Sequence, residues 1–250
     1  DGSIELYFAL SNAYSIDDLK NDGIIEHEVG HTFGSAHANY LDCGEEIIGD
    51  NCVSIEYGDF YDTMGGETQE KNHFTSARKE YIGWLDSSNI VEINTPGEAL
   101  YFVEPLEKES SGVQSLKISI DSTSNYYIDY RRPVGFDELV YDSQVFYNGI
   151  FLHKDFIREE KLWPFIIQTD VLDASPSDDS LNLVLGIGET FSDEENGIYI
   201  TVDSIFDEYA MVYIKIDSKQ CNDGIDNDND EALLGPCYNL LKCCTYMLCP

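Results

Sequence analysis

The chain is strongly acidic for its size. Its 250 residues include 48 Asp and Glu against 14 Lys and Arg, which gives a formal net charge of −34 at pH 7. Such a charge repels the phosphates of nucleic acids and anionic membranes, so it argues against nucleic-acid binding, and it attracts divalent cations or basic substrates. For the acidic residues outside the C-terminal tail, a calcium-rich surface and an acidic surface without a ligand both stay open. Hydrophobic residues make up 42% of the sequence, which argues against disorder and indicates a globular protein.

The first predicted elements are a strand and a helix. Ile4–Leu10 has the β-branched and aromatic content of a strand, and Asn21-Asp22-Gly23 supplies a helix start. The helix should run to Phe33, because apolar residues recur along one of its sides at helical spacing. Gly34 is placed to end the helix in a left-handed conformation, which turns the chain sharply and brings His37 back toward the helix.

Residues 27–37 contain the residue types of a metal site. Their sequence, H-E-V-G-H-T-F-G-S-A-H, matches H-E-x-x-H-x-x-G-x-x-H at every fixed position. His27 and His31 lie one turn apart on the same helix face, so both can bind one zinc ion, and His37 supplies a third ligand. A fourth position is then open to water, which zinc acidifies and for which Glu28 is placed as the general base. The pattern predicts a catalytic zinc site with Glu28 as its catalytic residue.

The seven cysteines lie in two groups. Cys43 and Cys52 follow the histidine motif, and the other five lie near the C-terminus: Cys221, Cys237, Cys243, Cys244 and Cys249. None has paired C-x-x-C zinc spacing, so disulfides in an oxidising compartment, including a Cys43–Cys52 bridge, explain them better; the odd count leaves one unpaired or paired beyond this chain. We therefore expect a protein that is secreted, extracellular or at the cell surface. No apolar run approaches the ~20 residues of a membrane span, and we expect any signal peptide to have been removed or to lie outside this sequence.

The chain divides into three predicted units. A loop rich in Gly, Asp and Glu covers residues 40–66, and a second helix, Phe74–Leu85, ends a partial zinc-peptidase domain at residues 1–88. Short strands separated by turn residues indicate a β-sandwich at residues 89–218. The eight strands predicted there are Ala99–Val103, Ser115–Ile120, Tyr126–Tyr130, Ile150–His153, Phe165–Thr169, Leu181–Leu185, Ile198–Val202 and Ala210–Ile216. Residues 219–250 form a Cys-rich, acidic tail.

The tail contains a candidate calcium site. Asp226, Asp228 and Asp230 alternate with other residues in the manner of oxygen-rich loops that wrap Ca²⁺. A complete EF-hand has a glycine after the third acid, where this sequence has Glu231. Two interpretations of this segment therefore stay open: a calcium site, and a solvated acidic turn held by a disulfide.

The histidine motif, followed by Tyr61-Asp-Thr-Met64-Gly-Gly, resembles the metzincin clan of zinc metallopeptidases. Tyr57-Gly-Asp and the segment from His73 to Leu85 look like the gametolysin family. The resemblance implies that Met64 supports the zinc site from beneath without binding the metal. It also implies an α+β fold class, in which a metzincin-like catalytic subdomain precedes an antiparallel β-sandwich and the Cys-rich tail. Because only 26 residues precede His27, we expect the chain to be an N-terminally truncated piece of a longer protein.

These features predict a secreted zinc-dependent endopeptidase that acts on proteins or peptides. The alternative is a secreted binding or adhesion module with a structural or vestigial zinc site. Four other side chains are weaker candidates. Tyr57 and Tyr61 could hydrogen-bond the oxyanion of the tetrahedral intermediate, but packing explains them better. His73 and His153 are expected to cap or pack rather than to bind metal.

Overall fold

The computed structural model describes residues 22–66, 72–139, 149–158, 166–174 and 183–218. These ranges contain two α-helices, α1 (Asp22–Thr32) and α2 (Ser76–Tyr81). They also contain twelve strands: β1 (Ser35–Asp42), β2 (Val53–Ile55), β3 (Ile90–Glu92), β4 (Gly97–Val103), β5 (Ser115–Ser119), β6 (Ser124–Asp129), β7 (Gly149–Arg158), β8 (Ile166–Leu172), β9 (Val184–Gly186), β10 (Thr190–Asp193), β11 (Ile198–Ile205) and β12 (Ala210–Ile216). The predicted strand Ile4–Leu10 and the tail with Asp226, Asp228 and Asp230 lie outside the described residues.

The strands form two sheets. Sheet A is mixed and has the order β2-β1-β8-β7-β6-β5-β3, with β9 paired to β7 beside this path. Within it, β1 runs parallel to β8 and β3 runs parallel to β5. Sheet B is antiparallel and has the order β10-β11-β12-β4.

The main hydrophobic core lies between the two sheets. Fully buried side chains such as Leu116 from sheet A and Ile200 and Val212 from sheet B belong to one apolar cluster. Burying each such side chain contributes about 1.5–3 kcal/mol. Tyr126 also donates a hydrogen bond across the core to Asp193, with an oxygen–oxygen distance of 2.9 Å, so its buried hydroxyl is paired.

The predicted α+β fold class, with a metzincin-like catalytic subdomain before an antiparallel sandwich, is wrong. Strands account for 42% and helices for 14% of the described residues, in two sheets. Strand β1, which follows α1 directly, pairs with β8 and β2. The segment Ser35–Asp42 contains Ser, Ala and Asn, which favour strands weakly, so its extended conformation is imposed by these tertiary pairings. The division at residue 88 stays a prediction, although sheet A contains strands from both sides of it.

Other local predictions agree better with the structure. Each of the eight predicted strands overlaps an observed one, whereas β1, β2, β3 and β10 were not predicted. The second helix is shorter than Phe74–Leu85, because Gly83 adopts a positive φ of 76° directly after its last turn. The predicted Cys43–Cys52 disulfide is confirmed and closes the connection between β1 and β2. None of the described helices is both long enough and apolar enough to cross a membrane.

Truncating Ile200 tests the placement of the core. Ile200 is fully buried between the sheets, so Ile200→Ala should lower the free energy of unfolding by about 2–5 kcal/mol in a urea titration. Ile187 is 59% exposed, and Ile187→Ala should change the free energy of unfolding by less than about 1 kcal/mol. Equal losses at the two positions would contradict this core.

Candidate metal centre

Three histidines meet where α1 turns into β1. His27 and His31 lie on α1, Gly34 reverses the chain with a φ of 84°, and His37 lies on β1. One ring nitrogen from each histidine lies within 4.8 Å of the other two. Within the part of the chain that the structure describes, this is the only such group of His, Cys, Asp or Glu side chains. The predicted ligands are therefore brought together.

Hydrogen bonds orient all three imidazoles in the same way. The Nδ1 atom of His27 lies 2.9 Å from the Thr63 carbonyl, and that of His31 lies 2.8 Å from the Ser35 carbonyl. A carbonyl can only accept, so each Nδ1 must carry the proton and donate it. The Nδ1 atom of His37 likewise lies 2.6 Å from Oε1 of Glu56. In the neutral form of each ring, Nε2 is consequently the unprotonated nitrogen, which is the atom that can bind a metal.

Burial favours the neutral form of His27 and His37. Desolvation lowers the pKa of His27 to about 4, although the Thr63 carbonyl opposes the change. Desolvation also lowers the pKa of His37, against the opposing effect of the Glu56 carboxylate. Tetrahedral zinc at ~2.0–2.1 Å from each nitrogen requires neutral imidazoles whose nitrogens are about 3.4 Å apart. The three imidazoles are ligands of the type that zinc binds, and their nitrogens, all within 4.8 Å of one another, lie near this spacing.

Glu28 lies between the two helical histidines in sequence and is half-buried. Consecutive residues of an α-helix are rotated by about 100°, so its carboxylate stands beside the ligand face rather than on it. The side chain is thus adjacent to the histidines without being placed as a fourth ligand.

Met64 lies beneath the histidines. It is fully buried and packs with Ala38 of β1 and with Phe74. Its carbonyl accepts a hydrogen bond from the Ala38 backbone at 2.7 Å. A Cβ atom at Gly30 of α1 would overlap the Met64 sulfur. Met64 is therefore in contact with both elements that position the histidines, which is where the resemblance places a supporting residue.

A buried ion pair connects this turn to the sheets. Arg78 on α2 is fully buried, and its Nη1 and Nη2 donate to the Ala36 carbonyl at 2.7 Å and to Oγ1 of Thr169 at 2.9 Å. Its Nε lies 3.4 Å from Oδ2 of Asp62, which is also fully buried. Asp62 in turn accepts from the Met64 backbone at 2.6 Å. One guanidinium thus links β1, β8 and the turn beneath the histidines.

The two tyrosine candidates have different surroundings. The Tyr57 ring is 3.9 Å from the His37 ring, centroid to centroid, and 6.1 Å from that of His27. Its φ of 63° is unusual for a residue other than glycine, and such strain is concentrated at functional sites. Tyr61 instead packs against Phe151, with ring centroids 5.3 Å apart. The packing role expected of Tyr61 agrees with this contact, while Tyr57 borders the histidines.

His73 and His153 lie outside the cluster. His73 precedes α2 and packs against Phe136 at 5.2 Å between centroids, and burial lowers its pKa to about 4. His153 is fully buried in sheet A, with Nε2 3.2 Å from Asp59 and Nδ1 3.6 Å from Asp129. Both residues pack within the protein, as predicted.

Two residues of the site were missed in the sequence. Gly30 carried a usable signal, because a glycine inside a helix costs about 1 kcal/mol and often marks a close approach by another group. Glu56 carried none, since it is one of many acidic residues in a segment predicted to be a loop. Its role depends on the pairing that places β2 beside β1.

A double-mutant cycle tests the contact between Gly30 and Met64. Gly30→Ala alone should weaken zinc binding and stability, because the buried Met64 sulfur cannot move aside. In a Met64→Ala background, Gly30→Ala should lower the free energy of unfolding by at least about 1 kcal/mol less than it does alone. Urea unfolding with and without zinc measures both values. Additive effects of the two substitutions would show that the residues do not touch.

Removing the Glu56 carboxylate tests the orientation of His37. Glu56→Ala should weaken zinc binding about 10- to 100-fold, because the imidazole loses the acceptor that holds its proton on Nδ1. Competition with a coloured chelator measures the affinity. Glu45→Ala removes an equally exposed carboxylate from the same segment and should leave the affinity unchanged; a similar loss in both variants would point to a general charge effect.

Comparisons with known proteins returned no relationship. No protein-family model matches the chain, and neither the curated proteins nor the solved structures include a significant match. Functional inference for this chain therefore depends on the geometry of its own residues.

Proposed function

We propose that the protein is a secreted zinc-dependent endopeptidase. The observation that carries the proposal is the convergence of three histidine nitrogens within 4.8 Å of one another. Glu28 directly follows His27 on α1. Three neutral protein ligands that leave one position open are typical of catalytic zinc sites, whereas structural sites are closed by four. The Cys43–Cys52 disulfide agrees with an oxidising compartment.

Zinc, when bound, would supply Lewis acidity that polarises a substrate carbonyl and lowers the pKa of water. The chain supplies the remaining functions. His27, His31 and His37 would hold the metal, with their orientation set by Thr63, Ser35 and Glu56. The resemblance of the histidine motif and of Met64 to metzincin peptidases supports peptide hydrolysis as the reaction.

Glu28 is the proposed proton carrier. Its carboxylate accepts the proton of the attacking water and then delivers it to the nitrogen of the departing amine, so the reaction leaves Glu28 in its starting state. Half-buried on α1, it is shielded enough to stay close to the reacting atoms and open enough to exchange protons with water. The Tyr57 ring, beside His37 and His27, borders the same space.

Glu28→Gln tests this assignment. The variant should bind zinc as the unaltered protein does, because the ligands are unchanged, but cleave casein or a peptide library at least ~100-fold more slowly. Metal content by mass spectrometry and cleavage rates with and without a chelator give the two readouts. Glu26→Gln changes another glutamate of α1 and should retain full activity.

Two outcomes would count against the proposal. Unchanged cleavage by Glu28→Gln would remove Glu28 from the mechanism. An unaltered protein that binds one zinc ion yet hydrolyses no peptide would favour the alternative, a secreted binding or adhesion module with a structural zinc site.

A further inference from the structure

A cavity beside the histidines contains a buried carboxylate with a free oxygen. The cavity has a volume of about 310 Å³ and lies on one face of sheet A, where β2, β1, β8 and β7 are neighbours. This volume is at the lower end of the ~300–1,000 Å³ range of ligand pockets. Asp170 lines the cavity and is fully buried, and its Oδ2 has no hydrogen-bond partner. A buried acceptor without a partner is costly unless a ligand satisfies it.

The other oxygen of Asp170 is held in place. Its Oδ1 accepts hydrogen bonds from Ser54 and Gln168, each at 3.0 Å. These two bonds fix the carboxylate while leaving Oδ2 available. Burial raises the pKa of Asp170, and hydrogen bonds from Gln168, Ser54 and Asn39 together with the charge of Lys154 oppose that change. A bound cation would further favour the charged form.

The walls suit an aliphatic chain that ends in a cation. Leu41, Ile48 and Phe156 line the cavity with apolar surface, against which the methylene groups of lysine or arginine pack well. Lys154 also lines the cavity, and its Nζ lies 5.9 Å from the centre of the Phe156 ring. Lys154 lies opposite Asp170 in the pairing of β7 with β8, and its charge acts on that carboxylate. It nevertheless leaves Oδ2 of Asp170 without a hydrogen bond. The exposed carboxylate of Asp50 also lines the cavity.

The charge of the surrounding segment favours the same ligand. Between Lys20 and Lys71 the sequence has no lysine or arginine. Exposed acidic side chains lie at the end of β1, in the connection to β2 and directly after β2: Asp42, Glu45, Glu46, Asp50 and Glu56. A cleft surrounded by one sign of charge concentrates ligands of the opposite sign.

Contiguous contacts join the cavity to the histidines. Asn39 donates from Nδ2 to Oγ of Ser54 at 2.8 Å, and its Oδ1 accepts from the Tyr57 backbone at 3.2 Å. The Tyr57 ring then lies 3.9 Å from that of His37. Ser54 and Glu56 are two residues apart, which corresponds to about 7 Å in extended chain. A peptide bound at the histidines could therefore place a side chain in the cavity.

We propose that this cavity receives a lysine or arginine side chain of the substrate, one or two residues from the scissile bond, and that Asp170 pairs with its charge. The inference rests on the proposed endopeptidase function and adds a substrate class, basic peptides. Ser54 and Gln168 position the carboxylate, and Leu41, Ile48 and Phe156 surround the aliphatic part.

Paired peptides test the proposal with the full-length, zinc-loaded protein. One set has lysine scanned through the positions flanking the cleavage site, and the other has uncharged norleucine at the same positions. The unaltered protein should prefer lysine at one position, and Asp170→Asn should lower the lysine-to-norleucine ratio of kcat/KM by about tenfold or more. Glu208→Gln, which removes an exposed charge outside both the cavity and the acidic segment, should keep the ratio.

A binding measurement separates this proposal from the proposed function. Fluorescence anisotropy with labelled peptides is carried out in the Glu28→Gln background, where turnover is not needed. Cleavage without a lysine preference, or a preference that survives Asp170→Asn, would overturn the pocket and leave the endopeptidase. If the protein binds lysine peptides through Asp170 but the unaltered protein cleaves none, the endopeptidase proposal is overturned and the lysine pocket is retained. If the protein shows no peptide binding and no cleavage, both proposals are overturned.

Lys154→Met provides a test of opposite sign if Asp170→Asn does not fold. Removing the resident cation should raise the preference for lysine peptides, because Lys154 no longer competes for the carboxylate. A lower or unchanged preference would contradict the assignment of Asp170. Melting temperature and zinc content of each variant show that the fold is retained.

Discussion

The buried pairing of Arg78 with Asp62 is the interaction on which the histidine centre depends. The guanidinium contacts the backbone beside His37, the hydroxyl of Thr169 on β8 and the carboxylate that holds the Met64 turn. Such pairs add little net stability compared with apolar residues, but loss of one partner costs about 3–5 kcal/mol because the other charge stays buried. The pair therefore acts mainly by fixing positions. Because Arg78 contacts both β1 and β8, the geometry of the site depends on how these two strands pair.

The histidine rings have fixed orientations, and they lie in a segment of the chain that carries acidic side chains but no lysine or arginine. Two carbonyls and one carboxylate determine which nitrogen of each histidine is available. Because no lysine or arginine occurs from residue 21 to residue 70, a divalent ion would be the main positive charge on the exposed side of this segment. The same electrostatics would draw basic peptides toward the proposed metal, so the proposed metal binding and the proposed substrate preference would share one physical origin.

The sequence was sufficient to predict the local parts of the site and insufficient for its tertiary setting. The spacing of His27, His31 and Gly34 predicts the helix and its end, because both depend on short-range periodicity and on the left-handed conformation of glycine. The strand that carries His37 was not predicted, since Ser, Ala and Asn give no strand pattern and the pairing partner is distant in sequence. For the same reason, the sandwich strands were located correctly while the overall fold class was wrong. Asp170 and Glu56 could not be identified, because their roles arise only when β8, β1 and β2 are adjacent.

The parallel pairing of β1 with β8 also determines when the centre can form during synthesis. The helix and the three histidines leave the ribosome early, whereas Ile166–Leu172 emerges only after most of the described chain has been made. Contacts between such distant segments form late, because a long loop must close first. A nascent chain would thus expose histidines that are not yet arranged as a site, and the histidine centre would form only when the sheet is nearly complete. The topology itself would delay metal binding, and with it the proposed proteolysis, until the protein has folded.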